Sequence, residues 1–185
     1  MIARLPSALV RTFVTGLLII LAAATTVSFG AVLGETVMLY PNIFRDPPSS
    51  LVEAREFLVA GSPSDFFPPL GLAIVVASLA AVGATWRRKG IRAYVAGAAV
   101  VYLCCELLFS AVWFWPRNEI MFVDPVGTHS PELLRATARE FVAGHWVRLA
   151  GGAITAALLF TALVRWVSGP ARSRAIGSPS SVAGT

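Results

Sequence analysis

Charge is what this sequence has least of. Only 14% of its 185 residues are Asp, Glu, Lys or Arg, against 56% hydrophobic residues and a mean hydropathy of +0.73. Soluble domains carry about a quarter charged residues, so a chain this poor in charge cannot cover its apolar surface in water. The basic surplus of +5 is not gathered into a nucleic-acid-binding face. Cysteine is scarce too: Cys104 and Cys105 are adjacent in one apolar run. Neighbouring cysteines bridge only with strained geometry, which excludes a disulfide framework.

Acid is missing from one set of segments altogether. Arg4 and Arg11, then Arg87, Arg88, Lys89 and Arg92, then Arg165, Arg172 and Arg174 stand in stretches without Asp or Glu. All ten acids fall in the two remaining loops or inside apolar runs. Such an alternation follows the positive-inside rule and places both termini in the cytoplasm.

What is present are long apolar runs. A bilayer core about 30 Å thick needs about 20 such residues in a helix, and four windows qualify: residues 12–40, 70–86, 93–115 and 146–167. The first is too long for a signal-peptide core and has no clean cleavage site, so it reads as a retained span. The third is expected to stop at Pro116, which cannot continue a helix comfortably. Glycine and alanine in the first, third and fourth spans, such as Gly16, Gly30, Gly34, Gly97, Gly151 and Gly152, allow close helix approach. Trp86, Trp113, Trp115, Trp146 and Trp166 fall near span ends, as an interfacial belt requires. The fold class is therefore an all-α transmembrane four-helix bundle in the cell membrane, residues 1–172, with a disordered cytoplasmic tail over 173–185.

The two outward loops resemble each other. Tyr40-Pro41-Asn42-Ile43-Phe44-Arg45-Asp46-Pro47 leads to Ala54-Arg55-Glu56-Phe57. Trp115-Pro116-Arg117-Asn118-Glu119-Ile120-Met121-Phe122-Val123-Asp124-Pro125 leads to Ala138-Arg139-Glu140-Phe141. A period near 80 residues, one hairpin, implies a parallel repeat. Each loop is expected to hold a short amphipathic helix. The first would be capped by Ser49 or Ser50, with Leu51, Ala54, Phe57 and Leu58 on one face. The second would begin at Ser130-Pro131-Glu132.

Glu35 and Glu106 interrupt otherwise apolar spans. Ionisable groups at such depth face a partner or a wet cavity. With Asn118, Glu119, Glu140, His145 and Arg148 they would gather at the outer mouth of the bundle. Glu35, Glu106 and His145 offer carboxylate and imidazole ligands suited to iron, manganese or zinc, although the paired Glu-x-x-His signature of bundle metal sites is absent. Without a metal, His145 could serve as general base, with Arg148 and Asn118 holding an anion or carbonyl oxygen near Glu106. A purely structural reading of the same residues pairs Glu35 or Glu106 with Arg148 and makes the chain a scaffold or subunit for a membrane partner, or a homo-oligomer. His129, in a polar loop, reads as solvated.

The element Pro116-Arg117-Asn118 leading into Glu119-Ile120-Met121-Phe122, and the entry His145-Trp146-Val147-Arg148 before a small-residue run, resemble the anthrone-oxygenase-like family of small four-helix membrane proteins. The resemblance implies oxygenation of a hydrophobic small molecule without an obvious cofactor, with Asn118, His145 and Arg148 as the positions to test. The repeated loops, Glu35 and Glu106 depart from that pattern and put a polyketide substrate in doubt.

Overall fold

The computed structural model describes residues 7–169, so Arg4 and the tail over 173–185 lie outside the described residues. Among the latter there is no strand; the chain forms five helices, four of them long and apolar enough to cross a bilayer. Helix α1 covers Ser7–Gly34 and continues through a π-helical segment, Glu35–Leu39, and a last α turn, Tyr40–Ile43. Helix α2 is Ser49–Phe57 and α3 is Pro63–Thr85. Helix α4 starts as Lys89–Tyr102, passes through π segments Leu103–Leu108 and Ser110–Phe114, then Trp115–Asn118, and ends in a π segment, Glu119–Val123. Helix α5 is Pro131–Ser168.

Helix α5 packs between α1 and α4, and α3 packs on the same two from the opposite side. The result is a four-cornered bundle with α3 and α5 on a diagonal. We call the end bearing Arg87 to Arg92 the basic end and the end bearing α2 the acidic end.

Three helix ends differ from expectation, each for a physical reason. Pro116 does not stop α4, because the wide π turn over Ser110–Phe114 gives its ring the room that an α turn denies. Pro41 is accommodated in the same way after Glu35–Leu39. The second amphipathic segment is not a separate short helix but the first part of α5. Ser130 caps it as expected, its Oγ accepting from Leu133 N at 3.2 Å, and nothing breaks the helix before Trp146. In the first loop, Ser49 and Ser50 lie inside the opening turn of α2 and bond back to Asp46, Ser49 Oγ donating to its carbonyl and Ser50 Oγ accepting from its N–H. Leu51 and Ala54 of α2 are buried, but Phe57 is 76% exposed.

Small residues divide sharply. A Cβ on Gly144 would overlap Trp113, and one on Gly151 would overlap Cys105. These glycines set the close approach of α5 to α4. Around Gly16, Gly30 and Gly34 the space is open, so the expected contact role of the α1 glycines is not used within this chain.

Candidate functional site

The π turns place the site. Glu35 opens the π segment of α1, Glu106 lies within the first π segment of α4, and Ser110 opens the second. A π turn rotates the residues that follow and widens the backbone, and such turns recur at functional sites. Between these segments and the first half of α3, from Pro63 to Val75, lies a cavity of about 590 Å³, within the range of small-molecule sites. Its wall is largely aromatic and aliphatic, with Tyr40, Phe67, Tyr102, Phe114, Trp115, Phe122 and Phe141 among its lining. Glu35, Glu106, Ser110, Asn118 and Arg148 supply polar groups.

Arg148 and Glu106 form a buried ion pair, Nε donating to Oε2 at 3.0 Å. The two residues are 8% and 7% exposed. The guanidinium also lies 4.9 Å over the Phe67 ring and 5.3 Å over that of Phe114, an arrangement in which the ring quadrupole favours the charge. Glu35, 8% exposed, accepts at Oε1 from the Tyr40 hydroxyl at 3.3 Å. Its Oε2 and the Ser110 Oγ are buried without a hydrogen-bond partner. Unpartnered buried oxygens are costly, and here both belong to residues that line the cavity.

His145 stands apart. It is 1% exposed and packed among Tyr40, Phe114 and Phe141, with ring centroids at 4.4, 4.8 and 5.1 Å. Its Nδ1 is 3.3 Å from Thr36 Oγ1. That hydroxyl already donates to the Val32 carbonyl at 2.6 Å, so the shared proton belongs to Nδ1 and Nε2 is left a bare acceptor, buried and unpartnered. His145 is not among the residues that line the cavity; it sits one layer behind Tyr40 and Phe141. A general base must come within reach of the proton it takes, so His145 buttresses the wall.

The expected mouth cluster is thus only partly assembled. Glu35, Glu106, Arg148 and Asn118 line one cavity. Glu140 is drawn away by Arg117, whose Nη2 lies 2.7 Å from Oε2, and Glu119 is exposed. The proposed metal set of Glu35, Glu106 and His145 does not form. Among the described residues no three His, Cys, Asp or Glu side chains come together to hold an ion, and the Arg148 guanidinium occupies the position beside Glu106 that a cation would need. His129 is half-buried rather than solvated, its Nε2 2.6 Å from Asp124 Oδ2, beside a second cavity of about 400 Å³ under the loop.

Two further residues that line the cavity escaped the sequence reading. Ser110 stands five residues before Trp115-Pro116, as Glu35 stands five before Tyr40-Pro41; aligning the two loops backwards into the spans would have found it. Arg55 ties α2 across the cavity mouth, donating to the Met121 carbonyl from Nη2 and to the Asp124 carbonyl from Nη1, each at 2.7 Å. These carbonyls close the last π segment of α4, where a cation is favoured.

Family models, curated proteins and solved structures yield no match to this chain, so the likeness to the anthrone-oxygenase-like proteins rests on residues 116–122 and 145–148 alone.

Proposed function

We propose that this is a multi-pass membrane protein that takes a hydrophobic small molecule into the cavity between α3 and α4, where Arg148, Glu106, Glu35 and Asn118 hold its polar part. The observation that carries this reading is the cavity itself: about 590 Å³ of mostly apolar space with Glu35, Glu106, Asn118 and Arg148 among its lining. With the acid-free end in the cytoplasm, as the positive-inside rule requires, the cavity opens outward. Oxygenase-like chemistry is the finer proposal. It is supported by the resemblance at Asn118 and Arg148, both of which line the cavity.

The test is occupancy. Gly71 lines the cavity, and a Cβ there would point toward the Tyr102 hydroxyl at 3.7 Å, so Gly71→Leu fills the space. Solvent extracts of the purified wild type should contain a small molecule that Gly71→Leu lacks. Oxygen uptake with an anthrone substrate should depend on Arg148 and Asn118. Equal extracts from both proteins would sink the cavity reading, and no uptake would remove the oxygenase.

A second reading, a scaffold for a membrane partner, draws on the Glu106–Arg148 pair, which locks α4 to α5 with no help from a ligand. It expects changes around residues 54–61 and 138–144 to break co-purification with a partner. Duplication of an ancestral hairpin would account for the matching order of polar residue, π segment, aromatic-Pro and α turn at Glu35–Ile43 and Ser110–Asn118.

A further inference from the structure

The gap between α3 and α4 is open along the side of the bundle. Helix α3 packs closely on Lys89–Tyr102 of α4 and only lightly on Leu103–Leu108, and beyond that the two helices part. Leu72 of α3 and Leu107 of α4 line the cavity and are also exposed, at 66% and 40%, on the outside of the bundle. Their depth follows from the basic end. There the Arg165 guanidinium lies 4.8 Å over Tyr94 and that of Arg92 lies 5.9 Å over Trp86, a level of cations and rings such as a membrane interface carries. At about 1.5 Å per residue, Leu107 lies about 20 Å along α4 from Tyr94, and Leu72 about 21 Å along α3 from Trp86. A hydrocarbon core about 30 Å thick starting at that level includes both leucines. The cavity therefore opens to lipid chains.

Past this opening, toward the acidic end, one side chain offers free donors. Arg148, about 26 Å along α5 from Arg165, donates from Nε to Glu106. Its terminal nitrogens make no hydrogen bond among the described residues, and they are not among the sealed, unpartnered atoms, as Glu35 Oε2 and Ser110 Oγ are. The guanidinium reaches over Phe67 of α3, so its free edge opens onto the cavity that Arg148 lines. What it lacks is an acceptor. Arg148 and Glu106 neutralise each other, and a charged head would leave a net charge in an apolar enclosure, which is costly. A carboxylate would lie beside Glu106. An ammonium would meet the guanidinium, and the free oxygen of Glu35 is sealed from it. A neutral carbonyl accepts from Arg148 and brings no charge.

We infer that the ligand is a neutral, carbonyl-headed amphiphile drawn sideways from the bilayer. Its carbonyl accepts from the terminal nitrogens of Arg148, and its chain leaves between Leu72 and Leu107 into the lipid. This rests on the cavity reading above and names the class of molecule that enters and the side from which it comes.

The full chain is placed in nanodiscs of ether-linked phosphatidylcholine, a lipid without carbonyls. Labelled 2-nonadecanone, nonadecane, stearate, stearylamine or a 2-alkanone of the same length ending in pyrene is added, and retention above protein-free discs is measured. The ketone should be retained about tenfold more tightly than nonadecane, the size of one hydrogen bond to a charged donor. Replacing Arg148 and Glu106 together by Met should abolish that advantage and leave nonadecane unchanged. A ketone labelled with carbon-13 at its carbonyl should also show a downfield shift on the wild type. Should the double variant not give monodisperse protein, that shift decides alone, and its absence overturns the head assignment. Equal retention of ketone and alkane, both lost in Gly71→Leu, keeps the cavity but overturns the carbonyl. Preference for stearate or stearylamine overturns it in favour of an anion or a cation. The pyrene-ended ketone should be held as well as the plain one, because the chain end lies in the bilayer; its exclusion overturns the sideways route. Retention of none removes the cavity reading as well.

Discussion

Toward the basic end, Val14, Leu18 and Leu21 of α1 meet Ile74 and Ala81 of α3, Val95 and Ala98 of α4, and Leu159 and Ala162 of α5 in one aliphatic core. Toward the acidic end the buried cluster is Tyr40, Ile43, Phe114, Met121 and Phe141, with α2 laid over it through Leu51 and Ala54. The first half is regular α-helix. The second is where all four π segments, the helix-embedded prolines Pro41, Pro68, Pro69 and Pro116, and the cavity are found. Aliphatic side chains on regular turns interdigitate to native density. Large rings meet edge to face, as Phe114 on a π turn of α4 and Phe141 on α5 do at 4.8 Å, and leave room between them. A seal and a site are thus obtained from the same helices by a change of backbone pitch and ring content.

This contrast can be broken, most severely at the ion pair. Arg148→Met leaves Glu106 buried without its partner and should cost roughly 3–5 kcal/mol, whereas the double replacement of Arg148 and Glu106 by Met should be close to neutral. Thermal melts of the two variants in one detergent check this, and equal losses would refute it. Leu18→Ala in the aliphatic half should cost about 3 kcal/mol, because a fully buried side chain leaves a hole, while Gly71→Leu in the other half fills existing space and should cost little. Next in size is Gly151→Ala. Its Cβ would overlap Cys105, and overpacking of this kind costs about 1–3 kcal/mol. Gly30→Ala, in open space on α1, should instead gain up to about 1 kcal/mol. A melt that lowers both glycine variants equally would mean that α1 is also in tight contact. Smallest is Ser110→Ala, within about 0.5 kcal/mol of wild type or slightly stabilising, since it removes an oxygen that has no partner. A loss comparable to that of Leu18→Ala would mean that Ser110 is structural.

How much of this could be read from the chain alone follows the same division. The aliphatic half is a matter of apolar length and was legible, as were the isolated charges Glu35, Glu106 and Arg148, because a charge in an apolar run must find a partner. The cavity was not. Pro116 reads as a terminus unless the π turn before it is known, which assigns Phe122 and Val123 to a loop. Phe67 reads as preceding its span, whose apolar run opens at residue 70, whereas the Ser62–Asp65 capping interaction starts α3 at Pro63. His145 matched the resemblance in sequence, but the stacking of Phe141 against it at 5.1 Å depends on α5 running unbroken from Pro131.

The contacts at the basic end have a mechanical meaning. Trp166 is held by Thr15 and lies under Arg88 at 5.5 Å, while Arg165 covers Tyr94, so one short stretch of α5 clamps α1, the α3–α4 turn and α4 together. A bundle clamped at one end bends about that end, as tweezers do about their joint. Spreading of α3 from α4 should grow with distance from Trp166 and be greatest at residues 103–123. Amide hydrogen exchange should rise along α4 from Val95 toward Val123, and Trp166→Ala should flatten that gradient by loosening the fulcrum rather than the jaws.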